Sequence, residues 1–235
     1  MGIMAERRVI FFDVGNTLLF PNRLKILAPI SSARHPTLEQ WQALERRTKQ
    51  EFDLGMQSGR VDHSFWWIFH THLLQQLGED ISVREALVEN TQKSTNWDQV
   101  LPDTRDTLDR IGQSFRIAVI SNSDGKIEQV LSRCGIAACF ESVTDSGTVG
   151  VEKPRVEIFQ AGLSAMKARA DESLYVGDLY SVDYEGARNA GMQAVLFDVA
   201  GAYRNREVPR VESLKQLETW LRSKKMTGPY NSKIW

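Results

Sequence analysis

Two acids stand where buried strands end. Val9-Ile10-Phe11-Phe12 reads as an apolar strand and runs straight into Asp13-Val14-Gly15-Asn16-Thr17. Far downstream, Leu174-Tyr175-Val176 ends in Gly177-Asp178, with a further acid at Asp183. Acids at the carboxyl ends of buried strands lie where open α/β sheets place their ligands. Two acid-tipped strands suggest a site for a hard cation and a phosphate-like group. Position 15 is the odd one: a glycine stands two residues after the first acid, where such a site usually carries a second.

Other polar residues fall at comparable places. Ile117–Ile120 ends in Ser121-Asn122-Ser123, a hydroxyl and an amide at a strand tip that can hold phosphate oxygens. Lys153-Pro154 precedes a helical pattern, which puts a cation near a helix N-terminus, itself an anion site. Asp183 opens a helix whose Gly186-Ala187 would let it pack close to a sheet. Each piece is ordinary alone. Together they make an anionic nucleophile, a polar clamp, a cation and a metal-binding acid at one sheet edge.

The elements that must position these groups are legible as short apolar runs. Val9–Phe12, Arg116–Ile120, Ser142–Thr144, Leu174–Val176 and Ala194–Phe197 read as strands, mostly continuous rather than alternating, as in a parallel sheet buried on both faces. Helical spacing at Ile127-Val130-Leu131 and Val156-Phe159-Leu163 separates them, and this βαβα rhythm predicts a Rossmann-like α/β core with right-handed crossovers. The stretch 21–98 is too long for one crossover. Its helical spacing at Trp41-Leu44-Thr48, Phe65-Phe69-Leu73 and Ala86 to Val88, with a capping box at Ser82 and Glu85, predicts an inserted helical module over the end of the first strand. Pro102-Asp103-Thr104 begins a helix leading back to the sheet. The expected division is 1–20 and 99–223 for the core, 21–98 for the insert, and 224–235 for a loose tail.

Composition removes several classes. The chain has 235 residues, 42% of them hydrophobic, enough to fill a core. A formal charge of −1 with interspersed signs argues against a nucleic-acid binder. No apolar run suggests a membrane span or a secretory signal. Two cysteines, Cys134 and Cys139, are too few for a disulfide framework, so a cytoplasmic protein with buried, reduced thiols is expected.

With these motifs in order, the chain resembles the haloacid dehalogenase superfamily over nearly its whole length. Phe11-Phe12-Asp13-Val14-Gly15-Asn16-Thr17-Leu18 is similar to the nucleophile motif, Ile120-Ser121-Asn122 to the second and Glu152-Lys153-Pro154 to the lysine motif. Val176-Gly177-Asp178 through Asp183, with Gly186-Ala187 and Ala190-Gly191-Met192, is similar to the acidic fourth motif. The resemblance implies a Rossmann-like fold of the subfamily whose helical cap follows the first motif. It also implies a Mg²⁺-dependent phosphatase acting on a small phosphorylated metabolite. Asp13 would attack phosphorus and form an aspartyl phosphate. Mg²⁺ would sit between Asp13, Asp178 and the backbone carbonyl of Gly15. Ser121 and Asn122 would hold phosphate oxygens, Lys153 would offset charge, and Asp183 would orient Lys153 or a water on the metal.

The departure is at Gly15. Phosphatases of the family usually carry there the aspartate that protonates the leaving group. Its loss removes a contribution of ~10² to 10⁴ in rate. One expectation is therefore a phosphatase whose acid comes from the cap or whose substrate has a good leaving group. A second is a phosphonoacetaldehyde hydrolase-like enzyme with a Schiff-base lysine, Lys25 or Lys49, although lysines there are ordinarily solvated. A haloacid dehalogenase-like hydrolase ranks third, and a catalytically weak phospholigand- or protein-binding member stands apart from all three. Arg23, Lys25 and His35 follow the nucleophile loop and are candidates for substrate contact. His63, His70 and His72 fit an aromatic helix packing better than a metal site.

Overall fold

In the computed structural model, residues 8–31, 34–58 and 65–223 are described. Six parallel strands form one sheet in the order β3-β2-β1-β4-β5-β6. They are β1 (Val9–Phe12), β2 (Arg116–Ser121), β3 (Val143–Asp145), β4 (Ser173–Gly177), β5 (Gln193–Phe197) and the short β6 (Arg210–Val211). Register pairs Phe12 with Val119 on one side and Val176 on the other. Asp13, Ser121 and Asp178 therefore emerge at the same edge.

Alternation within β1 divides the core. Ile10 and Phe12 pack on the face covered by α5 (Thr104–Gly112), α6 (Ile127–Arg133) and α10 (Leu214–Ser223). Val9 and Phe11 pack on the other, beneath α8 (Val156–Met166) and α9 (Glu185–Asn189). Gly186 permits that packing, because a Cβ there would lie 2.9 Å from the Phe159 ring and 3.1 Å from Pro154 Cα.

Between β1 and α5 lie α1 (Arg23–Ile26), α2 (Leu38–Gln57), α3 (Phe65–Leu77) and α4 (Arg84–Gln92). They have their own apolar centre, including Ile26, Trp41, Leu44, Phe69, Leu73 and Leu87. α2 starts on a true capping box: Gln40 N–H donates to Thr37 Oγ1 while Thr37 N–H donates to Gln40 Oε1. The box expected at Ser82 and Glu85 is absent. Asp80 caps that turn, accepting from Ser82 N–H at 2.7 Å, and α4 begins later. The expected tail at 224–235 and His63 lie outside the described residues. Cys134 and Cys139 are free and half-buried rather than buried.

β3 continues into α7 (Ser146–Val149), where Gly147 lies under the loop that follows β2. A Cβ at Gly147 would stand 2.5 Å from Gly125 N and 2.7 Å from Asp124 C, backbone atoms that cannot step aside locally. Gly147→Ala should therefore cost about 1–3 kcal/mol in urea unfolding. An unchanged unfolding midpoint would show that the loop after β2 is not locked in this way.

Candidate active site

The carboxyl edge of the sheet faces a cavity of about 530 Å³ between the strand ends and the inserted helices. Asp13, Gly15, Asn16, Ser121, Asn122, Lys153, Asp178 and Asp183 all line it. The chain leaves β1 through a tight turn in which Thr17, Leu18 and Leu19 N–H groups donate to Val14 O. Asn16 takes a left-handed φ of 52°, which asparagine tolerates better than most residues. Its side-chain amide donates to Asp178 Oδ2 at 3.3 Å, tying the first strand end to the fourth.

Lys153 is the hub. Its Nζ donates to Asp13 Oδ1 at 2.6 Å, Asp183 Oδ1 at 2.7 Å and Tyr175 Oη at 2.8 Å. Asn122 fixes the base of this lysine: its Oδ1 accepts from Lys153 N–H at 2.8 Å and its Nδ2 donates to Lys153 O at 3.0 Å. The Asn122 side chain is thus committed to the lysine's main chain. Asp183 is bound at both oxygens, since Leu179 N–H donates to Oδ2 at 2.9 Å. Gly177 makes room for it: a Cβ there would lie 2.5 Å from Asp183 Cγ.

Asp13 is held by one oxygen only. Among the described residues no donor reaches its Oδ2. Burial pushes the Asp13 carboxyl up to about 7; Lys153 pulls against this, while Asp183 and Asp178 add to it. Burial also raises Asp178 to about 6, against the attraction of Lys49. For Lys153 burial works against the charge, but Asp13 and Asp183 outweigh it and lift its pKa.

Oxygens of Asp13, Asp178 and Asp183 lie within 4.8 Å of one another, a hard-donor set suited to a divalent cation. Lys49 and Glu45, both buried, complete the neighbourhood. Four carboxylates then face two ammoniums, a formal excess of two negative charges. The donor set and the charge both fit Mg²⁺.

Several contributors escaped the sequence reading. Lys49 on α2 was expected to be solvated. Its side chain is fully buried, with Nζ 2.8 Å from both Asp178 Oδ2 and Glu45 Oε1. Burial acts to lower its pKa, but Asp178 and Glu45 hold it well above the ordinary value. Asp53, one turn further, accepts from Ser181 N–H at 3.1 Å and Ser181 Oγ at 2.6 Å. Glu45, Lys49 and Asp53 recur at i, i+4, i+8 beside the apolar stripe, a visible pattern that solvated charges produce equally often. Tyr175 was read only as strand filling. Trp97 covers the bare position: a Cβ on Gly15 would lie 3.5 Å from its ring, and its indole N–H is committed to Thr91 O at 2.7 Å.

The expected substrate contacts lie elsewhere. Arg23 donates to Pro36 O, Lys25 pairs with Asp98, and His35 bonds Ile30 O; none of the three lines the cavity. His70 is buried against Thr91 and held neutral, its pKa lowered to about 3 by burial. His72 pairs with Glu51. The inserted segment instead offers the cavity an apolar wall of Phe52, Met56, Phe65, Trp66 and Trp97.

The family described as hydrolase, haloacid dehalogenase-like hydrolase, matches residues 7–191. Human haloacid dehalogenase-like hydrolase domain-containing protein 3 is 31% identical over 212 residues, covering 82% of this chain and 84% of that one. A glyceraldehyde 3-phosphate phosphatase of Methanothermobacter thermautotrophicus is 40% identical over 97 residues, 40% of this chain and 43% of its own. YfnB of Bacillus subtilis, in a structure bound to magnesium, superposes with a TM-score of 0.66 at 17% identity over 92% of this chain and 99% of that one. Among the described residues, no helix is long and apolar enough to cross a membrane. The chain is a hydrolase of the haloacid dehalogenase superfamily, an α/β protein with a Rossmann-like parallel sheet.

Proposed function

We propose that this hydrolase is a Mg²⁺-dependent phosphatase acting on a small phosphomonoester through an aspartyl phosphate on Asp13. The observation that carries the reading is Asp13 itself: one oxygen held by Lys153, the other without a donor, at the floor of a cavity beside two further carboxylates. Residues 1–20 and 99–223 serve as the catalytic core and 21–98 as the cap. The phosphatase names among its relatives and the two free cysteines, in keeping with a cytoplasmic setting, support the same picture.

Asp13 Oδ2 attacks phosphorus in line, and the ester oxygen departs with the bonding electrons. Lys153 stays protonated and offsets the charge of Asp13 and the phosphoryl oxygens. The Ser121 hydroxyl, buried at the tip of β2, is placed to donate to one of those oxygens. Asp183, Tyr175 and Asn122 hold Lys153 in position. Asp13, Asp178 and the Gly15 carbonyl would hold Mg²⁺, which when bound offsets the negative charge gathered there.

Position 15 shapes the substrate. An indole stands over it, with its N–H already used, so no acid replaces the missing aspartate there. With no proton donor at position 15 itself, a leaving group that departs as an anion or takes its proton from water fits best. Lys153 is also the one basic side chain among the described residues lining the cavity, so those residues offer one phosphate seat. A monophosphate with an apolar or aromatic body and a stabilised leaving group fits best. The Schiff-base alternative is not favoured, since neither of its lysines, Lys25 or Lys49, lines the cavity.

Two outcomes are expected. Rates across a series of aryl and alkyl phosphates should depend steeply on leaving-group pKa. Gly15→Asp, whose Cβ meets Trp97 only at ordinary contact distance, should flatten that dependence and raise alkyl phosphate turnover about 10²-fold. A shallow dependence in the wild type would mean that another residue supplies the proton. The second outcome follows from the raised carboxyls. The folded state keeps protons on Asp13 and Asp178 that the unfolded chain has lost, so their effect favours folding below the ordinary value of 3.8 and fades as pH rises through about 6 to 7. Mg²⁺ should therefore raise Tm more at pH 7.5 than at pH 5.5. An equal increment at both values would contradict binding at these carboxylates.

A further inference from the structure

The cation already at Asp178 belongs to the cap. Lys49 stands near the middle of α2, its side chain fully buried, with Nζ 2.8 Å from Asp178 Oδ2 and 2.8 Å from Glu45 Oε1. The two buried lysines differ in how they are held. Lys153 makes three directed hydrogen bonds. Lys49 Nζ rests between two carboxylates, Asp178 and Glu45, at 2.8 Å from each. Lys49 is therefore held by two ion pairs, and its position depends on how its charge is shared between them.

It does not face the substrate: Lys49 is absent from the cavity wall, whereas Asp178 is part of it. The ammonium thus approaches Asp178 from the cap side, and the cavity stays open on the other. Its helix is fastened nearby, because Asp53 on the next turn binds both the N–H and the hydroxyl of Ser181. Ser181 lies in the π-helical turn Tyr180–Tyr184 that also carries Asp183.

We propose that Lys49 is a tethered cation that competes with the divalent ion for Asp178. The proposal rests on the metal reading given above. A divalent ion near Asp178 and an ammonium 2.8 Å from its Oδ2 repel each other in a buried setting where screening by salt is weak. Ion entry drives the Lys49 charge toward Glu45, its second partner one turn back on α2. Glu45 is then the acceptor that makes release from Asp178 affordable, and α2 feels whether the site is filled. In the absence of the ion, Lys49 keeps Asp178 from standing as an uncompensated buried charge.

The test is Mg²⁺ binding by isothermal calorimetry at pH 7.5, with no substrate present. Lys49→Met should bind Mg²⁺ at least tenfold more tightly than the wild type. Glu45→Gln, which leaves the ammonium wholly to Asp178, should bind it several-fold more weakly. Lys25→Met makes the same change in net charge at an exposed cap lysine paired with Asp98 and should leave the affinity unchanged. Equal or weaker binding by Lys49→Met would overturn the proposal, and so would equal tightening by Lys25→Met. If Lys49→Met does not fold, Glu45→Gln decides, and unchanged or tighter binding there is the contrary result. Failure of every variant and of the wild type to bind Mg²⁺ would overturn the metal reading and this proposal together.

Discussion

Four buried carboxylates meet two buried ammoniums at the carboxyl edge of the sheet, and the surrounding structure is arranged around that imbalance. Burial drives Asp13 and Asp178 toward their neutral forms and, even against the pull of Lys153 and Lys49, leaves them at about 7 and about 6. In the proposed mechanism Asp13 attacks phosphorus only when ionised, so the site needs cations at short range. Lys153 supplies one from the core and Lys49 a second from the cap. The remaining excess is what a hard divalent ion would balance. The low dielectric that makes these charges costly also makes each pairing strong once formed.

Much of the fold exists to place the core cation. A parallel sheet gathers strand tips along one edge, and the β1–β2 and β1–β4 registers set Asp13, Ser121 and Asp178 side by side. Lys153 comes from a loop, so its position depends on groups that grip it. Asn122 clamps its main chain, while Asp183 and the Tyr175 hydroxyl hold its ammonium. Gly177 lets Asp183 come near, and Gly186 lets α9 lie against Phe159. Fold similarity alone would not select this chemistry, because one fold can host many reactions.

The parallel sheet was legible because strands buried on both faces leave unbroken apolar runs, and Val9–Phe12 is such a run. β6 was missed because two residues carry no periodicity. The acids at strand tips could be read because local chemistry placed them there. The role of Asn122 could not, since its partners are main-chain atoms 31 residues away. Lys49 was hidden for a different reason. A lysine one position from an apolar stripe ordinarily extends into water, and only the docking of α2 over Asp178 closes that route. Thr37 and Gln40 were a readable capping box, whereas Ser82 and Glu85 had the same spacing without the backbone to use it.

Gly15 is where the site differs most from a full set of catalytic groups. Trp97 lies over it, and Trp66 and Phe65 continue the apolar surface, so the cavity favours a leaving group that needs no proton. With no carboxylate at position 15 to activate water, the second half-reaction of the proposed mechanism should be slow. The most direct test is to mix the enzyme with Mg²⁺ and an aryl phosphate, quench in acid during turnover, and map phosphorylated peptides by mass spectrometry. Phosphate on the peptide containing Asp13, approaching one per molecule, is the predicted result. Continuing phosphate release with Asp13 unmodified at every time point would contradict it.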